Sequence, residues 1–268
     1  MRDLPRMVQL ARAQGVTHQS ITSNGTPPLH RFVALVESGI DEIRISLDAR
    51  DPAMGALLTG RSRAWSAAVR NIAALATVRD TRPSFFLIAN TVINETNRRE
   101  MAGIVRFLVT LGVNDVKLIT MVDQKNSLGD FPEAAAVTRE IAALLRAYPE
   151  DAFPLLRRKL HTVFDREAIG LDDVIAPQPQ DWRCYIPLTE RTVDALYYYP
   201  CSVYLREGGR PLGSIHEPAS AQRARTAQFV RHGRCLEDPI CRQYCLHCTK
   251  AFNVAANHAR ERERTERG

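Results

Sequence analysis

Cysteine is the residue type whose placement most strongly indicates chemistry in this chain. All six cysteines fall in the last third of the 268-residue sequence, at Cys184, Cys201, Cys235, Cys241, Cys245 and Cys248. Only two residues separate the last pair, and such a turn presents two thiolates to one ion or cluster from neighbouring loop positions. Because three or four converging sulfur atoms form a metal cage, this segment predicts a metal site.

A disulfide framework is the other common reason for clustered cysteines. It is typical of short secreted domains, whereas the N-terminal sequence MRDLPRMVQLARAQG is charged throughout and has no apolar signal segment. The sequence contains no apolar run long enough to span a membrane. We therefore expect a cytoplasmic protein with reduced thiols and no membrane partner.

The charge balance bears on the choice of partners. The formal net charge is +6, and residues 222–234 (QRARTAQFVRHGR) concentrate the basic side chains. This excess favours acidic or phosphate-bearing partners. Proteins that bind single-stranded nucleic acid interleave basic and aromatic side chains, and this segment lacks that pattern, so nucleic acid is not the expected partner.

The elements that must position these groups begin with an α/β repeat. Over residues 1–125 a helix, a glycine and a short apolar strand recur, with the glycines at Gly15, Gly39 and Gly112. Glycine adopts the left-handed conformation that ends a helix, so each glycine marks the passage into a strand. Strands that alternate with helices form a parallel sheet. Four strands make a partial β/α barrel, because a complete one needs eight. The predicted strands are residues 19–23, 42–47, 85–93 and 116–122.

The sequence also predicts how this α/β region ends. Apolar spacing predicts helices over residues 3–14 and 98–111, the second preceded by Asn97 and Glu100 in the spacing of a capping box. Residues 126–180 form a predicted helical linker, interrupted at Pro149. A small Cys-rich domain then covers residues 181–255. Residues 256–268 form a charged tail, either a frayed helix or a disordered segment.

Ligands of parallel α/β sheets bind where the strands end, because side chains and helix N-termini meet at that edge. Polar residues at turns and helix starts also serve as caps, so the shared location is what makes these residues candidates. The candidates are Thr22, Ser23, Asn24, Gly25, Ser46, Asp48, Asn90, Thr91, Asp123 and Gln124.

Several segments of the chain resemble one enzyme superfamily. ITSNGT (residues 21–26), LVESGIDEIRISLDA (35–49) and NIAAL (71–75) are similar to the middle and end of the radical S-adenosylmethionine (radical SAM) barrel. The segment CYIPLTERTVDALYYYPCSVYLREGGRPLGSIHE (184–217) resembles the SPASM or twitch extension, which binds auxiliary 4Fe-4S clusters. The resemblance implies a partial radical SAM-type barrel followed by an iron–sulfur domain.

The resemblance also implies an activity. Relatives cleave S-adenosylmethionine at a cluster on an N-terminal CxxxCxxC loop, and the 5′-deoxyadenosyl radical so formed modifies a peptide or a small-molecule substrate. The electron donor is a ferredoxin or a flavodoxin. The sequence lacks that N-terminal segment, so we expect a truncated, mis-started or degenerate relative that does not cleave S-adenosylmethionine unaided.

Some positions match the binding residues of the family. By this resemblance Thr22, Asn24, Ser46 and Asp48 contact S-adenosylmethionine at the strand ends, and Arg61 binds its methionyl carboxylate. An arginine suits that role because the guanidinium group pairs with a carboxylate through two parallel hydrogen bonds.

The resemblance leaves more than one ligand set for the auxiliary cluster. The twitch-type pattern selects Cys184, Cys201, Cys245 and Cys248. The SPASM-type pattern selects His232, Cys235, Cys241 and Cys245. Two clusters are a further possibility, and so is the last group of three cysteines as a radical-type cluster loop. Four thiolates also suit zinc. The alternative function is therefore a non-catalytic, zinc-stabilised binding module whose basic helix meets an acidic partner.

Overall fold

The computed structural model describes residues 3–120, 133–164, 183–233, 235, 237–244 and 247–267, and for some helical residues, Cys248 among them, it describes the backbone alone. The chain divides into two compact units, Met1–Ala168 and Ile169–Gly268. The domain boundaries predicted at residues 125, 180 and 255 stay predictions.

The first unit is built on a four-stranded parallel sheet, as the sequence predicts. Its strands lie in the order of the chain, and each pairs in parallel with the next. A parallel sheet without crossing connections places all the strand ends at one edge. The strands are β1 (Ser20–Ser23), β2 (Glu42–Ser46), β3 (Phe86–Ile93) and β4 (Asp115–Thr120).

Helices cover one face of this sheet and form the core with it. Strand residues such as Ile43, Ile45, Leu87 and Leu118 are fully buried in one apolar cluster with side chains from the helices. Burial of this apolar surface is the main source of the unit's stability. The helices are α1 (Leu4–Ala13), α2 (Leu29–Glu37), α3 (Pro52–Thr59), α4 (Ala64–Asp80), α5 (Met101–Thr110), α6 (Ala134–Leu145) and α7 (Pro154–Phe164).

The structure confirms the predicted helix-ending glycines, but it does not show the predicted capping box at Asn97. Gly15, Gly39 and Gly112 all have positive φ angles and lie between a helix and the following strand. The predicted cap at Asn97 is wrong: a short 3-10 helix, Arg98–Glu100, precedes α5, and the Asn97 side chain makes no cap hydrogen bond to it. The Asn97 amide is used instead at the strand ends, as described below.

The second unit is small and irregular. It holds a three-stranded antiparallel sheet of β5 (Thr192–Val193), β6 (Tyr197–Tyr199) and β7 (Gly213–Ser214). Tyr198 is 1% exposed and its neighbour Tyr197 is 42% exposed, the alternation expected of a strand. The helices are α8 (Ile186–Thr189), α9 (Ser202–Arg206), α10 (Ala219–His232), α11 (Pro239–Tyr244) and α12 (His247–Arg267).

The last helix includes most of the predicted charged tail, because α12 continues to Arg267. Across the residues described, no helix is both long and apolar enough to cross a membrane.

Candidate functional site

The face of the first unit's sheet that lies opposite the core carries several polar side chains. Side chains alternate between the two faces of a strand, so the residues between the buried core positions face away from the helices. Aligned neighbours Ser46 on β2, Asn90 on β3 and Lys117 on β4 form one row across this face. The face opposite the core therefore carries polar side chains close to the strand ends.

Asn90 is the most informative member of this row. The residue is 7% exposed, and its Oδ1 atom has no hydrogen-bond partner among the residues that the structure describes. Leaving a buried acceptor unpaired costs about 1–3 kcal/mol, and such atoms in native proteins call for a functional explanation. The Asn90 oxygen is therefore suited to accept a hydrogen bond from a ligand.

The loop after β1 is tightly constructed around Gly25. The Ser23 hydroxyl accepts a hydrogen bond from the Gly25 N–H at 3.2 Å, and Asn24 Oδ1 accepts from the Thr26 N–H at 3.1 Å. Gly25 has a φ of +73°, and a Cβ there would lie 2.7 Å from Ile45 Cγ2. Only glycine fits this position, because a side chain would be strained and would also collide with the core.

Asn71 anchors the same loop and was not among the predicted site residues. It is buried on α4 and donates from Nδ2 to the carbonyls of Gly25, at 2.7 Å, and Pro27, at 2.8 Å. A sequence signal for this role does exist: Asn71 is a polar residue beside Ile72 and Leu75 on the buried side of the helix. Buried amides of this kind are retained because they satisfy backbone groups.

Asp48 connects the ends of two strands. Its Oδ1 accepts a hydrogen bond of 2.7 Å from the Val92 N–H, and its carbonyl accepts one of 3.0 Å from Asn97 Nδ2. Burial raises the pKa of the Asp48 carboxyl, and the bond from Val92 opposes that shift. Asn97 also donates to the Val92 carbonyl at 2.8 Å. The pair Asp48 and Asn97 thus fixes the loop after β2 against β3.

The other predicted ligand residues of this unit differ in their surroundings. Thr22 is exposed on the edge strand β1. Arg61 is exposed in the loop between α3 and α4, where its backbone N–H donates to the Thr59 hydroxyl at 3.2 Å. The Thr91 hydroxyl is fully buried and donates to the Leu47 carbonyl at 2.9 Å, which is a structural role. Asp123 and Gln124 lie outside the described residues.

The second unit brings cysteines together. Cys184, Cys201, Cys235 and Cys241 are free and partly buried. The Cys235 thiol contacts both Cys184 and Cys241, and these contacts raise the pKa of Cys235. Contact with Cys235 is also the main reason that the pKa of Cys184 falls to about 7, although burial opposes this shift. One thiol therefore stabilises the thiolate of its neighbour.

Cys201 belongs to the same neighbourhood. Burial raises the pKa of its thiol, and negative charge on Cys184 and Cys241 acts in the same direction. Asp238 holds the surrounding segments: it accepts 2.9 Å and 2.6 Å hydrogen bonds from the Cys241 N–H and the Tyr204 hydroxyl. Tyr204 lies on α9, the helix that begins directly after Cys201. The Asp238 carboxylate therefore connects the segment that carries Cys201 with the one that carries Cys241.

The thiol contacts fall short of a metal-binding geometry. Over the part of the chain that is described, no group of three or more His, Cys, Asp or Glu side chains has the arrangement that would hold a metal ion. The chemistry of the donors does fit a bound metal, because cysteine thiols in contact, one of them with a lowered pKa, suit thiolate-bound iron–sulfur or zinc. Cys245 and the side chain of Cys248 lie outside the described residues, so their predicted role as ligands stays a prediction.

Comparison with known structures supports the fold. The chain is similar to the crystal structure of Streptococcus suis SuiB bound to S-adenosylmethionine, with a TM-score of 0.50 and 13% sequence identity. The match covers 90% of this chain and 64% of the SuiB chain. No protein-family model matches the sequence. At this identity the similarity shows the fold alone, and it supports the radical SAM-like α/β architecture that the sequence resemblance implies.

Proposed function

We propose that this chain is the S-adenosylmethionine-binding and cluster-holding part of a radical SAM-type protein with a SPASM or twitch extension, acting on a peptide or a small molecule. The observation that carries the proposal is the fold similarity to S-adenosylmethionine-bound SuiB over 90% of the chain. The chain spans 64% of the length of SuiB. Modification of a substrate by a 5′-deoxyadenosyl radical, the activity of a complete radical SAM enzyme, is therefore proposed for this chain and does not follow from the fold similarity.

The proposed binding site for S-adenosylmethionine is the polar edge where the strands of the first unit end. Ser46 and Asn90 are aligned on adjacent strands there. The Asn90 oxygen, buried without a partner, would accept a hydrogen bond from a ribose hydroxyl or from the α-amino group. Asn24, Asp48 and Thr22 follow along the same edge. Arg61 is the proposed partner of the methionyl carboxylate, because its side chain is exposed and always charged.

The loops around this edge are built to orient a ligand. Asn71 fixes the loop after β1 through two carbonyls, and Asn97 fixes the loop after β2. Held by buried amides, both loops keep their polar groups in place before a ligand arrives. Such preorganisation lowers the entropic cost of binding.

The proposed cluster ligands are the four neighbouring thiols, Cys184, Cys201, Cys235 and Cys241. Their proximity supports this set: Cys235 contacts Cys184 and Cys241, and charge on Cys184 and Cys241 acts on Cys201. When bound, a 4Fe-4S cluster would supply one-electron transfer, with a ferredoxin or flavodoxin as the external donor. The protein's own contribution is to gather the thiols, with Asp238 fixing the Cys241 backbone.

Anaerobic reconstitution tests this proposal. The chain is incubated with iron and sulfide, desalted, and assayed for both elements and for visible charge-transfer absorption. Binding of S-adenosylmethionine is then measured by calorimetry on the wild type and on Ser46→Ala, with Thr81→Ala as the matched control. Thr81 is an exposed hydroxyl residue that follows α4 and precedes β3, so it lies toward the edge of the parallel sheet where the strands start, opposite the strand ends.

Two results would contradict the proposal. A colourless protein that holds zinc and no iron supports the alternative of a zinc-stabilised binding module, since zinc accepts the same four-thiolate set. Absence of S-adenosylmethionine binding by the cluster-loaded wild type removes the ligand assigned to the strand-end edge.

A further inference from the structure

Asn253 on α12 makes a side-chain hydrogen bond to the thiol of Cys184. Its Nδ2 lies 3.4 Å from the Cys184 sulfur, and its Oδ1 lies 2.8 Å from the backbone nitrogen of Tyr185. Asn253 is 3% exposed. A buried amide thus bridges the sulfur atom and the backbone of the next residue.

The orientation of this amide follows from its partners. The Tyr185 N–H is a donor and nothing else, so the amide oxygen must face it. The NH₂ group is then directed to the Cys184 sulfur. The contact with the Tyr185 N–H therefore fixes which end of the amide is the nitrogen, and that nitrogen is the atom that faces the Cys184 sulfur.

Neighbouring residues of α12 hold the same segment without touching the sulfur. Asn257, one turn further along, donates to the Arg183 carbonyl at 3.0 Å. Arg260 donates to the Tyr185 hydroxyl at 3.2 Å. Docking of residues 183–185 on the helix is therefore shared by three side chains, of which Asn253 donates to the thiol.

We propose that Asn253 is a positioning residue that donates an N–H to the Cys184 sulfur and thereby raises the reduction potential of the cluster held there. The inference rests on the proposed function, because it concerns the same thiol group. One-electron reduction places additional negative charge on the cluster sulfurs. A donor aimed at a ligating sulfur stabilises the reduced form more than the oxidised form, and hydrogen bonds to sulfur are among the factors that set iron–sulfur potentials.

Three variants separate this role from docking. Asn253→Asp keeps an acceptor for the Tyr185 N–H and replaces the donor with a carboxylate oxygen, so its midpoint potential should become more negative than that of the wild type. Asn253→Ala loses the hydrogen bonds to the Cys184 sulfur and the Tyr185 N–H without adding a negative charge. Its midpoint potential should therefore also become more negative, but by less than that of Asn253→Asp. Asn257→Ala loosens the same docking without touching sulfur, and its potential should equal that of the wild type.

The measurement is a redox titration of the reconstituted full chain, followed by visible absorption and electron paramagnetic resonance. Unchanged potentials in both Asn253 variants would overturn the proposal, and so would an equal shift in Asn257→Ala. A cobalt(II)-loaded chain provides the second measurement for any variant that holds no cluster. In it, the sulfur-to-cobalt charge-transfer band of Asn253→Ala should move to lower energy, because an unbonded thiolate is the better donor.

The cobalt experiment also distinguishes failure of this inference from failure of the proposed function. A wild type that takes cobalt and no iron–sulfur cluster contradicts the proposed function, and the band shift still decides the role of Asn253. An unshifted band in Asn253→Ala contradicts the hydrogen bond to sulfur. A wild type that binds neither metal species contradicts both.

Discussion

Asp115 on β4 accepts a 2.7 Å hydrogen bond from the Leu155 N–H, at the start of α7 and 40 residues later in the chain. The second carboxylate oxygen accepts from the Leu156 N–H at 3.1 Å. Phe153, which precedes α7, has a φ of 57° and an apolar side chain that offers no cap. A strand residue therefore supplies the cap that the helix lacks locally.

Asp115→Ala should destabilise the first unit by about 2 kcal/mol, because the N–H groups of Leu155, Leu156 and Val116 lose their acceptor. Urea unfolding followed by circular dichroism measures the loss. Asp80→Ala is the control, since Asp80 is an exposed partner of Arg79 and such ion pairs contribute little. An effect of Asp115→Ala no larger than that of the control would show that the cap is dispensable.

The same carboxylate makes stability depend on pH. Burial raises the pKa of Asp115 above its ordinary value of 3.8, although the N–H bonds oppose the shift. The folded chain then binds the proton more tightly than the unfolded chain. The stability contributed by this proton is complete below about pH 3.8 and is lost as the pH rises through the folded pKa.

The substitution Asp115→Asn removes this titration and keeps one of the two acceptor oxygens. The bonds lost at the other oxygen lower stability by an amount that does not vary with pH, so the pH dependence of the difference still reports the Asp115 carboxyl. The unfolding free energy of the wild type relative to Asp115→Asn should therefore fall as the pH rises from 3.8 toward neutrality. Unfolding of both proteins across this range measures the difference. A difference that is constant, or that grows in favour of the wild type with rising pH, would contradict the raised pKa.

Gly25 should be far less replaceable than Gly39. Both have a positive φ, but a Cβ at Gly25 meets Ile45 and Ala68, whereas a Cβ at Gly39 meets nothing within 4 Å. Gly39→Ala should cost about 1–2 kcal/mol from backbone strain alone. Gly25→Ala should cost about 3 kcal/mol, because overpacking adds to the strain. Thermal unfolding of the pair tests the difference, and equal losses would contradict the close approach at Gly25.

Asn90 should show opposite effects on stability and on binding. Asn90→Leu removes a buried oxygen that has no partner in the described part of the chain, so the free protein should be equally stable or up to about 1 kcal/mol more stable. If that oxygen holds S-adenosylmethionine, the Kd should rise about tenfold, the loss of one hydrogen bond. Thr91→Val is the control: it loses the bond to Leu47 on the core side and should lower stability without changing the Kd. A destabilised Asn90→Leu protein with unchanged Kd would remove Asn90 from the site.

The sequence predicts the sheet well because its signals are local. The apolar runs at Ile43 and Ile45, and the glycines at Gly39 and Gly112, are read within a few residues, and the structure confirms the strands that they predict. The polar residues at the strand ends are harder to assign. Asn97 has capping-box spacing, yet its amide joins Asp48 and Val92, and that choice depends on how β2 and β3 lie side by side.

Partners distant in the chain could not be inferred from spacing. Asp115 caps a helix 40 residues away, and Asn253 reaches Cys184 from 69 residues away. The twitch-type pattern assigns Cys245 and Cys248 as partners of Cys184 on spacing and resemblance alone. The structure places Cys235 beside Cys184, a contact that the spacing does not predict. The roles assigned to Cys245 and Cys248 stay predictions.

The identity of the ligating cysteines can be decided by alanine substitution. If the four neighbouring thiols hold the metal, Cys235→Ala and Cys241→Ala should each lose most of the bound iron or zinc, because removal of one of four ligands leaves an open site. Cys248→Ala is the matched control and should retain it. Elemental analysis after anaerobic reconstitution measures the content. Loss of the metal from Cys248→Ala together with full metal retention in Cys235→Ala would instead favour the twitch-type ligand set. Cys235 would then be a partly buried thiol that lies beside the metal site without binding the metal.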